Sequence, residues 1–141
     1  MRPLARNSKV AAYQSVSVHG GVASEDPHKL VLMLMDGALD RLALARGFAE
    51  RGDLGRKTQV LHSCIEIVTE LRGSLNLDQG GPLAQNLSEL YDYMMRQLMR
   101  AIADGGTGYA QEVGSLLSEI RSAWAAIGPQ VARGRGDGVV N

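Results

Sequence analysis

The groups that could do acid–base, nucleophilic or metal chemistry are His19, His28, His62, Cys64 and fifteen Asp and Glu side chains. Their spacing builds no known reactive constellation. His62 and Cys64 are two apart, and on a helix side chains at that spacing face away from each other. A di-iron carboxylate site in a helical bundle needs two Glu-x-x-His pairs and two further inward Glu. Glu25 and His28 have that spacing once, and Pro27 puts them at a helix start, outside a bundle core. "DGGTG" lacks the Lys-Ser/Thr of a phosphate loop. "RGD" at 51–53 and 135–137 reads as turn and tail residues. Cys64 reads as a small buried hydrophobe. The chain is therefore expected to be no enzyme, with no metal and no cofactor.

The balance of charge narrows the partners. Lys+Arg and Asp+Glu are both 15, and a chain without a basic face is not expected to bind nucleic acid. A single cysteine excludes an internal disulfide and fits a reducing cytoplasm. The start, "MRPLARNSKVAAYQS", has no apolar segment of the secretory type. The longest apolar run, Leu30 to Met35, is far short of the roughly 20 residues that span a bilayer. No membrane insertion and a cytosolic location are expected.

Gly and Pro divide the 141 residues into a tail and four long blocks. The first block starts at Pro27 behind Asp26, a cap followed by proline at the first helical position. It ends before Gly52. The second opens after Asp53 and runs to about Leu75. The third opens at Pro82 after "QGG" and ends near "DGGTG". The fourth runs from about Thr107 to Ile127, with Gly128-Pro129 as its stop. Short connections make consecutive helices antiparallel neighbours. The expected fold is all-α, an antiparallel up-down four-helix bundle over 26–128. Residues 1–25 form an extended N-terminal segment, in which "SVSV" has a strand's period of two. Gly-rich 129–141 reads as a disordered, flexible tail.

Three blocks carry more apolar surface than the single stripe a bundle helix needs. In the first, Leu32, Met33 and Leu39 lie off the stripe, and Met35 belongs to the six-residue apolar run. Arg41 projects near the stripe itself. In the second, Leu61, Ile65 and Val68 make the expected stripe. Val60, Cys64, Ile67 and Leu71 make another at the same spacing, one step around. In the third, Met95 and Met99 flank the stripe and Tyr93 lies off it on the other side. Contiguous apolar surface marks a partner site. Methionine suits a groove that must repack around an imperfectly matched helix. The partner so implied is an amphipathic helix or extended peptide. The alternative is another helical-bundle adaptor or homodimerisation module, whose extra stripes meet across a two-fold axis.

"AAYQSVSV", then "DPHKLVLMLMDGAL", "LDQGGPLAQNLSELYDYMMRQL" and "EIRSAW", resemble the FliS family of flagellin-specific export chaperones along about 12–127. The resemblance implies an antiparallel helical bundle that binds the C-terminal segment of flagellin in the cytosol. Such a chaperone prevents premature polymerisation and aids delivery to a component of the flagellar type III export gate. Other flagellar regulators are further partners it implies. The family's near-N-terminal tyrosine, Tyr13 here, contributes to flagellin binding, and the N-terminal segment can cover a groove when flagellin is absent. The expected flagellin-binding residues are Tyr13, Leu32, Met33, Met35, Leu39, Val60, Ile67, Leu71, Tyr93, Met95 and Met99. Two positions depart from the family's pattern. Met35 stands where an aromatic residue commonly precedes Asp-Gly, and Arg41 where an apolar or aromatic residue is usual.

Overall fold

The computed structural model describes residues 26–140, with side chains for 26–78 and 80–128. Helix α1 is Pro27–Glu50, α2 is Leu54–Gly73, α3 is Leu77–Ala103 and α4 is Gly108–Val140. Each consecutive pair packs side by side, and α4 closes the ring against α1. This is the up-down four-helix bundle that the short connections predict.

The caps act as their residue types dictate. Asp26 accepts from the backbone N–H of Lys29 at 3.1 Å, and Asp53 from that of Arg56 at 3.2 Å. Each satisfies one of the donors a helix start leaves unpaired. Gly52 turns the chain between α1 and α2 at φ 74°, a conformation that glycine adopts without penalty. Gly81, at φ 60° and ψ −143°, breaks α3 into a single turn before it and the long helix that Pro82 begins.

The core is built from Leu34, Met35, Ala38 and Leu42 of α1; Leu61, Cys64, Val68 and Leu71 of α2; Tyr91, Met94 and Leu98 of α3; and Val113 and Leu117 of α4. Small residues bring α1 and α2 together. The Cys64 thiol meets the Ala38 carbonyl oxygen at 3.7 Å. Lys57 is also inside, only 2% exposed. Its ammonium donates to the carbonyl oxygens of Asp104 (2.5 Å) and Gly106 (3.0 Å). A buried ammonium needs such acceptors, and here they tie the α3–α4 connection to α2.

The structure revises one boundary. The backbone of α4 stays helical through Gly128-Pro129 to Val140, where the sequence places a stop and a tail over 129–141. Proline removes one N–H and crowds the carbonyl four residues back, which kinks or breaks a helix; here the helical backbone continues. Gly128 serves a contact instead. A Cβ on it would lie 2.4 Å from Cε1 of His28, so glycine is what lets the imidazole seat against α4.

Candidate functional site

Three concave or exposed features of the bundle could receive a partner, two of them apolar and one of mixed polarity. The first is a cavity of about 340 Å³ at the end where α1 begins. Leu30, Val31, Leu34 and Met35 of α1 line it, with Leu75 after α2, Leu83, Leu87 and Tyr91 of α3, and Ile120 and Trp124 of α4. A reciprocal clasp holds one wall. The His28 ring stacks on Trp124 at 4.8 Å between centroids and 15° between planes. His28 donates through Nε2 to the Trp124 carbonyl at 2.6 Å, and the Trp124 indole N–H donates to the His28 carbonyl at 3.0 Å. The first turn of α1 is thereby fixed to α4.

The second is an open groove of about 560 Å³ between α1 and α4, floored by Ala43, Ala110, Gly114 and Ser115. Leu39 and Leu42 form one side, and Arg46 and Glu119 also line it. The third is the α2–α3 face. Thr69 there donates to the Met95 sulfur at 3.2 Å, and Met99 is 55% exposed.

The residues expected from the sequence divide among these places and the core. Met35 is a wall of the cavity and Leu39 a side of the groove. Leu32 and Met33 are half-buried on α1. Val60 and Met95 are half-buried against the core, and Met99 stands out from it. Ile67 and Leu71 lie inside the bundle. Their expected place on a surface stripe is corrected: α2 packs between α1 and α3, so one apolar face is not enough for it, and the second stripe is core. Tyr13 and the segment containing "SVSV" lie outside the described residues.

Tyr93 bridges helices. Its hydroxyl donates to Glu112 Oε2 at 2.6 Å, and Gln97 donates to Glu112 Oε1 at 2.7 Å. Arg100 in turn donates to the Gln97 side-chain amide oxygen, Oε1, at 2.8 Å. The hydrogen bond from Tyr93 holds the Glu112 carboxyl below its ordinary range, and the same bond raises the Tyr93 phenol. Arg41 donates to Ser63 Oγ at 2.9 Å and to the Gly37 carbonyl at 3.1 Å, so it joins α1 to α2.

Sequence reasoning missed the clasp and the buried lysine. A signal existed for the lysine: Lys57 falls one turn before Leu61 on the same helical face. Nothing local pairs His28 with Trp124, 96 residues away.

The clasp yields a direct test. Gly128→Ala puts a methyl group into the His28 ring, and such overpacking costs about 1–3 kcal/mol. Trp124 is the chain's single tryptophan. The variant is expected to shift its emission to the red and to melt several degrees lower. Unchanged emission would show that the clasp does not depend on the missing Cβ.

Among the described residues no three His, Cys, Asp or Glu side chains gather to hold a metal ion. No helix among them is long and apolar enough to cross a membrane.

Comparison with known proteins gives these surfaces a context. Residues 9–131 match the family described as flagellar protein FliS. The chain is 43% identical over 126 residues to the flagellar secretion chaperone FliS of Salmonella typhimurium, covering 89% of this chain and 93% of that protein. It is 41% identical over 115 residues to the flagellar secretion chaperone FliSB of Pseudomonas aeruginosa, covering 82% and 91%. Against the Bacillus subtilis FliS chaperone it is 33% identical over 121 residues, 86% of each chain.

Proposed function

The chain belongs to the FliS family, and from that membership we propose that it is an export chaperone for the C-terminal segment of flagellin. It holds that segment against its apolar surfaces in the cytosol, prevents premature polymerisation and presents the subunit to the flagellar type III export gate. The observation that carries this reading is the family match along nearly the whole chain. The exposed Met99 and the half-buried Leu32, Met33 and Met95 support it, because they extend apolar surface beyond the core. Tyr13 contributes to binding, and the N-terminal segment covers part of this surface when flagellin is absent.

Ordering a disordered segment costs free energy, so its affinity must come from a large wrapped area. Titration of the chain with the C-terminal segment of flagellin in a calorimeter is expected to show binding with a clearly negative heat-capacity change. Met33→Asp with Met99→Asp is expected to weaken it at least tenfold, a loss of about 1.4 kcal/mol or more. Helicity and melting temperature should change little, since neither side chain is in the core. Absence of binding by the wild-type chain would overturn the proposal. So would a constitutive dimer, by light scattering, whose subunits cover Met33 and Met99.

A further inference from the structure

Five of the six methionines fall among the described residues, and the fold sorts them by access. Met35 and Met94 are sealed in the core, and Met33 and Met95 are half-buried. Met99 is exposed, and among the described residues nothing donates to its sulfur. One turn away the Met95 sulfur is covered. It lies 3.2 Å from the Thr69 hydroxyl, whose single proton it shares with the Ile65 carbonyl oxygen at 2.8 Å. The Cys64 thiol, the other oxidisable sulfur, is fully buried. Thioether oxidation needs a free lone pair and an approach for the oxidant, and it turns a flexible apolar side chain into a polar one. The fold therefore directs an oxidant first to Met99, on the surface, and away from the side chains that hold the bundle together.

We propose that Met99 is a reversible oxidation site, through which a hydroperoxide such as hydrogen peroxide weakens the chaperone's hold on the flagellin segment. The inference rests on the export-chaperone reading and adds a modification to it. A lone pair on the Met99 sulfur attacks one peroxide oxygen, the O–O bond breaks and an S–O bond forms. The leaving hydroxide takes the proton from the new S–OH group and departs as water. Sulfur loses two electrons and the peroxide gains them. In the free chain the sulfoxide oxygen is solvated, and the bundle keeps its stability because Met99 is outside the core. Under a bound segment that oxygen must give up its water with no donor placed for it, and an unpaired polar group opposes burial. Sulfoxide reductases restore the thioether.

The test treats the full chain with hydrogen peroxide and follows each methionine by peptide mass spectrometry. Met99 is expected to gain one oxygen at least about fivefold faster than Met95, with Met35 and Met94 unchanged over the same time. Thr69→Ala should narrow that gap by uncovering the Met95 sulfur. Binding of the C-terminal segment of flagellin, measured by calorimetry, should weaken about fivefold or more on oxidation while the melting temperature holds. Methionine sulfoxide reductases should restore it. Met99→Leu, compared with its own untreated sample, should show no such loss. That comparison also separates Met99 from Met1, which lies outside the described residues. Oxidation that reaches Met95 or the core methionines as fast as Met99 would overturn the inference while the chaperone reading stands. So would complete Met99 sulfoxide with binding within about twofold of the untreated chain. A melting temperature that falls together with binding would trace the loss to unfolding, and this too overturns the inference. No binding by the untreated chain would overturn both.

Discussion

Ile67→Asp is expected to unfold the bundle, not merely to strip a binding face from it. Ile67 is 3% exposed and belongs to the central cluster with Leu71, Tyr91 and Met94. Truncating a buried aliphatic side chain of this size costs about 2–5 kcal/mol. Aspartate adds a carboxylate with no partner in an apolar surround, and an uncompensated buried charge costs several kcal/mol more. Domains of this size hold only about 5–15 kcal/mol in all. The urea midpoint, followed by circular dichroism, should therefore fall by half or more, or the cooperative transition should vanish. Met99→Asp, on the same pair of helices but 55% exposed, should stay within about 0.5 kcal/mol of wild type. An Ile67→Asp chain that melts within about 5 °C of wild type would mean that the second stripe of α2 faces solvent, as its sequence pattern alone would allow.

That contrast shows where the sequence is legible and where it is not. Asp26-Pro27, Gly52-Asp53 and Gly81-Pro82 carry backbone chemistry that is local, and the helix starts fall where those residues require. Rotation about a helix axis is not local. Leu61 and Val68 lie on one apolar stripe of α2, and Cys64, Ile67 and Leu71 on the next. A helix between two neighbours buries both. The same holds for Met35, only 1% exposed: the core absorbs a residue that the six-residue apolar run makes look surplus. Gly128 was ambiguous for a different reason. Glycine before proline signals a stop, and glycine also permits close approach. Only the position of a histidine 100 residues earlier in the chain decides between them. Leu32, Met33 and Met99, also off the core stripe, keep some exposure.

Stability is expected to fall steeply at alkaline pH, and much of the fall should trace to two buried acids. Burial pushes the Cys64 thiol up to about 12, against the lowering pull of the Arg41 guanidinium. Burial also pushes the Tyr91 phenol up to about 12. In the unfolded chain these groups titrate near about 8.5 and 10. Below pH 8 both states hold both protons, and the two groups give no slope. Above it the unfolded chain releases protons that the bundle retains. The unfolded state then binds fewer protons, and stability decreases as pH rises. Each group, once past its unfolded value, contributes about 1.4 kcal/mol per pH unit until its folded value near 12 is reached. Urea midpoints from pH 7 to 11 should fall slowly to about pH 9 and then steeply. Cys64→Ala separates the two contributions, because alanine fits the close α1–α2 contact at Ala38 and has no proton to lose. The variant should lose the decline that begins near pH 8.5 and keep the one that Tyr91 adds above about 10. If wild type and variant decline in parallel between pH 8.5 and 10, the thiol ionises as easily inside the bundle as outside it. Cys64 would then be accessible enough to react, which its burial against Ala38 argues it is not.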